Sequence, residues 1–251
     1  MTTTIGFFGD SFCNSLANSH SREQGYRTYI DLVSEHYQAE IVNLGHTGTS
    51  VWDTYLRQLL PLIKQGRVPD ICVFVWTNHS RMYHAKLRNI NNSTALHGQH
   101  TEDQAIWSAA RAYYQHLDDE AKSHLEYCSF LHYLDCHLFK QLPKTTKLIH
   151  LWSFGRNRYN RSGDFHPHSL TYDHQWSQGV TIEPALISTA LIGHRGTIHE
   201  LLDGPVANHI EGDKNLMVFE WICRAIDQYA HDQPQIHGYQ GEVAGLGSRT
   251  S

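Results

Sequence analysis

Short apolar runs alternate with amphipathic stretches through the first third of the chain. Ile5 to Phe8, Ile41 to Leu44 and Ile71 to Trp76 are each brief and rich in β-branched or aromatic residues, as expected of buried strands. Between the first two, within Tyr26 to Tyr37, the residues Tyr29, Ile30, Val33 and Tyr37 fall near helical spacing. Val51 to Ile63 does the same between the second and third. The order βαβαβ predicts a parallel sheet covered by helices on both faces, with ligands at the carboxyl ends of its strands.

The pattern turns helical from Glu102 to Leu142, with no internal proline, and Trp107, Tyr113 and Tyr114 are read there as core residues. Lys147 to Trp152 is a fourth strand candidate. Glu211 to Tyr229 reads as a closing amphipathic helix with Leu216, Phe219, Ile222, Cys223 and Ile226 on one stripe. Two stretches break the alternation: Tyr83 to Gly98 is polar and rich in Asn and His, Arg156 to Gly179 mixes Asn, Gly, His and Tyr, and both read as long loops overhanging a site. The ending from His237 to Ser251, with Gly238, Gly241, Gly245 and Gly247, reads as a flexible or partner-ordered tail.

A chain of 251 residues suits one domain with a single core. The expectation is therefore an α/β fold of three layers, α/β/α, around a mostly parallel sheet of about five strands. The domain spans 1–236, with loop insertions near 80–100 and 156–200 and the tail at 237–251.

Composition narrows the function classes. At 40% hydrophobic and 18% charged residues the chain is globular, and no apolar run approaches the ~20 residues of a membrane span. A net charge of -5 argues against a nucleic-acid-binding surface. The cysteines Cys13, Cys72, Cys128, Cys136 and Cys223 are scattered, odd in number and without a CxxC pair, so reduced thiols are expected. The first strand begins at Ile5, directly after Met-Thr-Thr-Thr, which leaves no room for a signal peptide and points to a cytoplasmic or virion-associated protein.

The sharpest chemical feature is Phe7-Phe8-Gly9-Asp10-Ser11-Phe12, a strand ending in a small residue, an acid and a hydroxyl. Such a string either presents a serine at the mouth of the sheet or supplies Asp and Ser as helix N-caps. Three more segments bear on the choice: Val42-Asn43-Leu44-Gly45-His46-Thr47-Gly48-Thr49, Trp76-Thr77-Asn78-His79, and Asp203-Gly204-Pro205-Val206-Ala207-Asn208-His209.

In that order the four segments resemble the motifs of the SGNH (GDSL-like) serine esterases. The resemblance implies a flavodoxin-like α/β/α fold without a cofactor and names Ser11 as nucleophile. It makes Gly48 a backbone oxyanion donor, with Gly45 as the fallback, and Asn78 the side-chain donor. The third motif usually reads Gly-x-Asn-Asp, and here Trp76 and His79 flank the retained Asn78. The last motif implies His209 as the base. The family places Asp three residues before that histidine, where this chain has Val206, so Asp203 is the nearest acid. A Ser-His dyad backed by a backbone carbonyl, or an acid such as Asp164 or Asp173, are alternatives.

These residue types suit acyl transfer. A serine hydroxyl becomes nucleophilic when an imidazole takes its proton, and an acceptor behind the imidazole holds its tautomer. The N–H groups of Ser11 and Gly48 and the Asn78 amide would then stabilise the oxyanion. Polar, aromatic loops and the lack of an extended apolar lid favour a small-molecule or carbohydrate ester, such as an O-acetyl group, over a long lipid. The rival signal is histidine: Asp164, His166, His168, Asp173 and His174, with His194 and His199, combine oxygen and imidazole ligands. There is no HExxH and Pro167 interrupts the His pair, so loop histidines without a metal are expected. The alternative class is a binding or structural protein, for instance a component of a virus particle or other assembly, that retains the fold with weakened catalysis. Val206 and the glycine-rich tail, a candidate contact for an assembly partner, motivate it.

Overall fold

The three early apolar runs form strands β1 (Thr4–Gly9), β2 (Glu40–Asn43) and β3 (Ile71–Trp76), and the fourth candidate forms β4 (Lys147–Trp152). The computed structural model describes residues 2–14, 27–88, 90–153, 174–183, 185, 186, 210, 214–229 and 235–238, the last four through their backbone. β3 is buried throughout and β1 nearly so, which is why their sequences are continuous apolar runs rather than alternating ones.

Two further strands join them, β5 (Val180–Glu183) and β6 (Gln235–Gly238). Among the described residues the sheet is six-stranded in the order β2-β1-β3-β4-β5-β6, and its pairings are all parallel. This agrees with the expected α/β/α fold around a mostly parallel sheet of about five strands, with one strand more. β5 lies inside the stretch read as a loop insertion, and β6 takes His237 and Gly238 from the stretch read as a tail. Both are four residues long, and β6 has Ile236 as its single large apolar residue, so neither offers a pattern for periodicity to detect.

Helices cover both faces. On the Phe7 face, helix α1 (Tyr29–Tyr37) lays Tyr29 edge-on to Phe7 at 6.0 Å, and its Tyr37 hydroxyl donates to the Cys223 carbonyl of the last helix. α1 starts where the Thr28 and Asp31 side chains cap each other's backbone N–H groups, and Ser50 with Asp53 repeats the device before α2 (Val51–Asp53). The helix then widens into a π segment over Thr54–Leu59, where the Leu60 N–H donates to the Tyr55 carbonyl five residues back, before α3 (Leu60–Lys64). Pro61 is a local cause, because it has no N–H to give the Arg57 carbonyl and its ring crowds that position.

The stretch read as one helical region, Glu102 to Leu142, divides. After α4 (Asn92–His97) come α5 (Gln104–His116) and α6 (Glu120–Tyr133), broken where Asp119 turns out of the helix and its carboxylate accepts from the Lys122 N–H at 2.8 Å. α6 runs on as a π segment, Leu134–Leu138, and a short 3-10 turn, Phe139–Gln141, which cover the opposite face of the sheet. Trp107 and Tyr114 pack around Ile90, Ala95 and Ala110, a small second core that organises much of the stretch read as the loop Tyr83 to Gly98. The closing helix is α7 (Lys214–Asp227). Among the described residues no helix is long and apolar enough to cross a membrane.

The sheet face under α6 carries a slab of rings, with Phe8 stacked on Phe74 at 5.2 Å and Trp76 on Trp176 at 5.0 Å. His150 lies fully buried within it, stacked on Trp176 at 4.2 Å. The Trp76 indole N–H can only donate, and it donates to His150 Nδ1 at 3.1 Å, so the proton of the neutral ring sits on Nε2 and is given to the Gln178 carbonyl at 3.1 Å. Burial is the main cause that holds this imidazole down to a pKa of about 3.

A histidine whose folded pKa lies below its unfolded value binds fewer protons folded than unfolded. Its stabilising effect is present above the unfolded pKa of ~6.5 and is lost as pH falls toward the folded value, at about 1.4 kcal/mol per unit. His150→Phe should therefore weaken the fold at pH 7, where two hydrogen bonds go unmade, and flatten the fall in stability between pH 6.5 and 4.5. Urea denaturation of both proteins across that range measures the slope, and equal slopes would contradict the assignment.

Candidate active site

In this strand order the chain leaves β1 toward β2 on one side and returns to β3 on the other, so the order reverses between β1 and β3. Open α/β sheets bind ligands in the crevice at such a point, beyond the carboxyl ends of the strands. Ser11 and Asn78 lie there, because Gly9 pairs with Val75 and both chains continue past the sheet together.

Gly9 has φ of 144°, and a Cβ on it would lie 2.2 Å from the Val75 carbonyl oxygen, so no side chain fits. Gln58, from the π segment, grips this residue at two points: the Gly9 N–H donates to Oε1 at 2.6 Å, and Nε2 donates to the Gly9 carbonyl at 2.9 Å. The strand end is therefore held rigidly before Ser11, the first residue of the 3-10 turn Ser11–Cys13. Asp10 caps that turn, accepting from the Phe12 N–H at 3.1 Å, so the helix-cap and sheet-mouth readings of Gly-Asp-Ser both describe the same turn. Ser11 is 4% exposed. Burial, followed by the charge of Asp10, pushes the neighbouring Cys13 thiol well above its ordinary range, which keeps it protonated and poorly nucleophilic.

The second motif runs alongside. The His46 N–H donates to the Gly9 carbonyl at 3.1 Å, and Asn14 Nδ2 donates to Thr47 Oγ1 at 3.4 Å. Gly45 and Gly48 separate here. The Gly45 N–H donates to Asn43 Oδ1 at 3.1 Å, and a Cβ on Gly45 would lie within 2.6 Å of the Cys13 carbonyl, so this glycine permits close packing. Gly48, at φ 75°, is buried, and its N–H, like that of Ser11, donates to no described residue. In the third motif the Ser80 hydroxyl donates to Asn78 Oδ1 at 2.9 Å, which directs the Asn78 amide N–H groups away from Ser80.

Arg81 ties the three motifs together, a residue that sequence reasoning passed over. One guanidinium nitrogen donates to the Thr49 carbonyl at 3.1 Å and lies 3.5 Å from Asp10 Oδ2, while Arg81 itself follows Asn78 by three residues. Asp10 is fully buried and the Arg81 side chain is 10% exposed. Burial pushes the Asp10 carboxyl up, and the Arg81 charge, then the Phe12 N–H, pull it back. Nothing in the residue pattern distinguishes Arg81 from other arginines; a buried acid in the first motif was the signal that a cation must lie nearby.

His209, Asp203 and the alternative acids Asp164 and Asp173 lie outside the described residues, as do His166, His168, His194 and His199. His174 is described: its Nε2 lies 3.7 Å from Asp135 Oδ2 and its ring stands edge-on to Trp176 at 4.4 Å. Among the described residues no group of three or more His, Cys, Asp or Glu side chains is placed to hold a metal ion. Next to the motif loops is a cleft of about 260 Å³ whose walls include Trp52, His79, Arg81, Tyr113 and Tyr127. Tyr113, read as core, belongs to this wall.

Removing one partner of the Asp10–Arg81 pair leaves a buried charge unopposed, at a cost of about 3–5 kcal/mol, whereas removing both charges costs less. Arg81→Met should therefore destabilise strongly, and Asp10→Asn combined with Arg81→Met should recover part of the loss, since Asn still caps the turn. Urea titration of the two variants against the parent tests this; a double variant no more stable than Arg81→Met would show that the charges are not coupled.

No protein-family model matches the chain, and no curated protein matches it. Among solved structures the chain shows a likeness to an acetyl xylan esterase, AlAXEase, at 21% identity and a TM-score of 0.28, over 59% of this chain and 57% of that one. The chain thus spans a little over half the length of that esterase.

Proposed function

We propose that the protein is a serine hydrolase that cleaves an ester through an acyl-enzyme formed on Ser11. The observation that carries this reading is the arrangement at the β1/β3 crevice. A nearly buried serine opens a rigid turn there, and the Ser11 and Gly48 N–H groups donate to no described residue. The Asn78 amide is turned by Ser80 so that its N–H groups remain available. Preorganised donors of this kind stabilise the negative charge that develops on a carbonyl oxygen under attack.

His209 is proposed as the base and Asp203 as the acid behind it. Support comes from the residue that follows His209. Ile210 is buried and its carbonyl accepts from Asn215 Nδ2 at 2.9 Å, Asn215 Oδ1 accepts from the Tyr29 N–H at 2.9 Å, and the Tyr29 hydroxyl donates to the Phe12 carbonyl at 2.8 Å. A chain of three hydrogen bonds thus links the neighbour of the proposed base to the neighbour of the proposed nucleophile. In the reaction Ser11 Oγ attacks the ester carbonyl while His209 takes its proton, and the alcohol leaves carrying that proton. Water then repeats the attack on the acyl-enzyme and releases the acid.

A fluorophosphonate should label the wild-type protein at Ser11, and Ser11→Ala should abolish both labelling and turnover of small aryl acetates. Wild-type protein that is neither labelled nor faster than Ser11→Ala would end the reading. Asn78→Ala should lower kcat about 100-fold or more at unchanged stability. Asp203→Asn should lower kcat by about 10⁴ if that carboxylate orients His209; unchanged turnover would assign the role to another group.

A further inference from the structure

The cleft beside the motif loops has a chemistry of its own. Two of its phenols are already committed: the Tyr127 hydroxyl donates to the Thr77 carbonyl at 2.6 Å and the Tyr114 hydroxyl to the Ser80 carbonyl at 2.8 Å. These bonds fix the wall to the end of β3 and leave ring surface toward the cavity. Trp52 is stacked on Phe130 at 3.7 Å, which holds the indole in place while leaving it 42% exposed. Holding a large ring rigid and half in water costs apolar solvation, and the arrangement supplies a flat platform on which a ligand ring can stack. Tyr113, edge-on to Tyr114 at 5.4 Å, provides a second aromatic surface.

The charges decide what kind of ring fits. Among the described lining residues Arg81 is the one formal cation, and it is engaged by Asp10 and the Thr49 carbonyl. An acidic ligand would meet the carboxylates of Asp118 and Glu126 instead. A quaternary ammonium ligand is poorly served too, because Lys122 stands 3.5 Å from Glu126, and the Arg57 guanidinium already lies 5.5 Å from the centre of the Tyr83 ring. What remains is aromatic surface with oxygen acceptors at its edge, which suits a ligand with apolar ring faces and outward hydroxyl donors. At about 260 Å³ the space suits a short sugar segment rather than a long acyl chain.

We propose that this cleft binds a neutral saccharide, the alcohol half of the ester cleaved at Ser11. The proposal rests on the serine hydrolase reading for its link to catalysis. That link runs through Arg81, which lines the cleft and touches Asp10, and through Ser80, which lines it and bonds Asn78.

The test uses the full chain carrying Ser11→Ala, titrated by calorimetry and tryptophan fluorescence. The probes are β-1,4-linked tetramers of glucose, xylose and N-acetylglucosamine, with tetragalacturonate and choline as the charged counterparts. At least one neutral tetramer should bind saturably, and tetragalacturonate and choline about tenfold more weakly or not at all. Trp52→Ala and, separately, Tyr113→Ala should weaken binding of that tetramer about tenfold at unchanged circular dichroism; using both guards against a folding defect in either. Preference for a charged probe, no binding of any neutral tetramer, or binding indifferent to both substitutions overturns the proposal. Fluorophosphonate labelling of wild-type protein separates the two readings. Labelling without sugar binding removes the saccharide cleft alone, and sugar binding without labelling removes the hydrolase.

Discussion

A carboxylate with no access to water stands at the end of the first strand, and much of the site is built to tolerate it. Moving an ionised Asp from water into a protein interior costs several kcal/mol, so Asp10 requires a cation and hydrogen-bond donors. The cation is Arg81, and it comes from a different loop. Satisfying Asp10 therefore draws the end of the third motif onto the first, and the bond from Arg81 to Thr49 draws in the second. One electrostatic requirement aligns three loops that lie far apart in the chain.

That alignment would be loose if the strand end moved, and the second constraint is steric. Gly9 approaches the Val75 carbonyl more closely than any residue with a Cβ allows, and Gln58 closes on its N–H and carbonyl from the other side. Gln58 belongs to a helical segment widened by one residue per turn. Such segments are uncommon and recur where function demands a local change of helical phase. Here the widened turn sits one step behind the proposed nucleophile. Backbone fixed just before Ser11 is what preorganised oxyanion donors require, because donors that must reorganise during the reaction lose most of their advantage.

The aromatic residues divide into two populations with different roles. Phe8, Phe74, Trp76, His150 and Trp176 form a dry slab against the sheet, where burial holds even the imidazole neutral and its two ring nitrogens are bonded to an indole N–H and a backbone carbonyl. Trp52, Tyr113 and Tyr127 stand at the wall of the cleft, two of them anchored by a ring stack or a hydrogen bond. Burial of the first group stabilises the scaffold, and incomplete burial of the second leaves surface available for a ligand.

Much of the fold follows from local pattern. The continuous apolar runs at Ile5, Ile71 and Lys147 form buried parallel strands, the run at Ile41 forms a partly buried edge strand rather than the buried one expected, and reciprocal caps at Thr28 and Ser50 start helices where helical spacing begins. That the chain turns at Gly9-Asp10-Ser11 after the first strand was likewise legible, because a turn after a strand carries its own residue signature. What pattern did not carry is whatever depends on distant partners. β5 and β6 are too short to show a period and exist as strands through their ladders to β4 and to each other. The break between α5 and α6 turns on a single capping Asp within an apparently uninterrupted helical run. Gly45 was separated from Gly48 by a hydrogen bond to Asn43, Tyr113 left the core for a cleft wall, and Arg81 became the clamp of the site through contacts 32 and 71 residues away in the chain. Periodicity records which way a side chain faces its own element. Which buried charge it neutralises, and which loops it thereby holds together, is decided when elements distant in sequence meet.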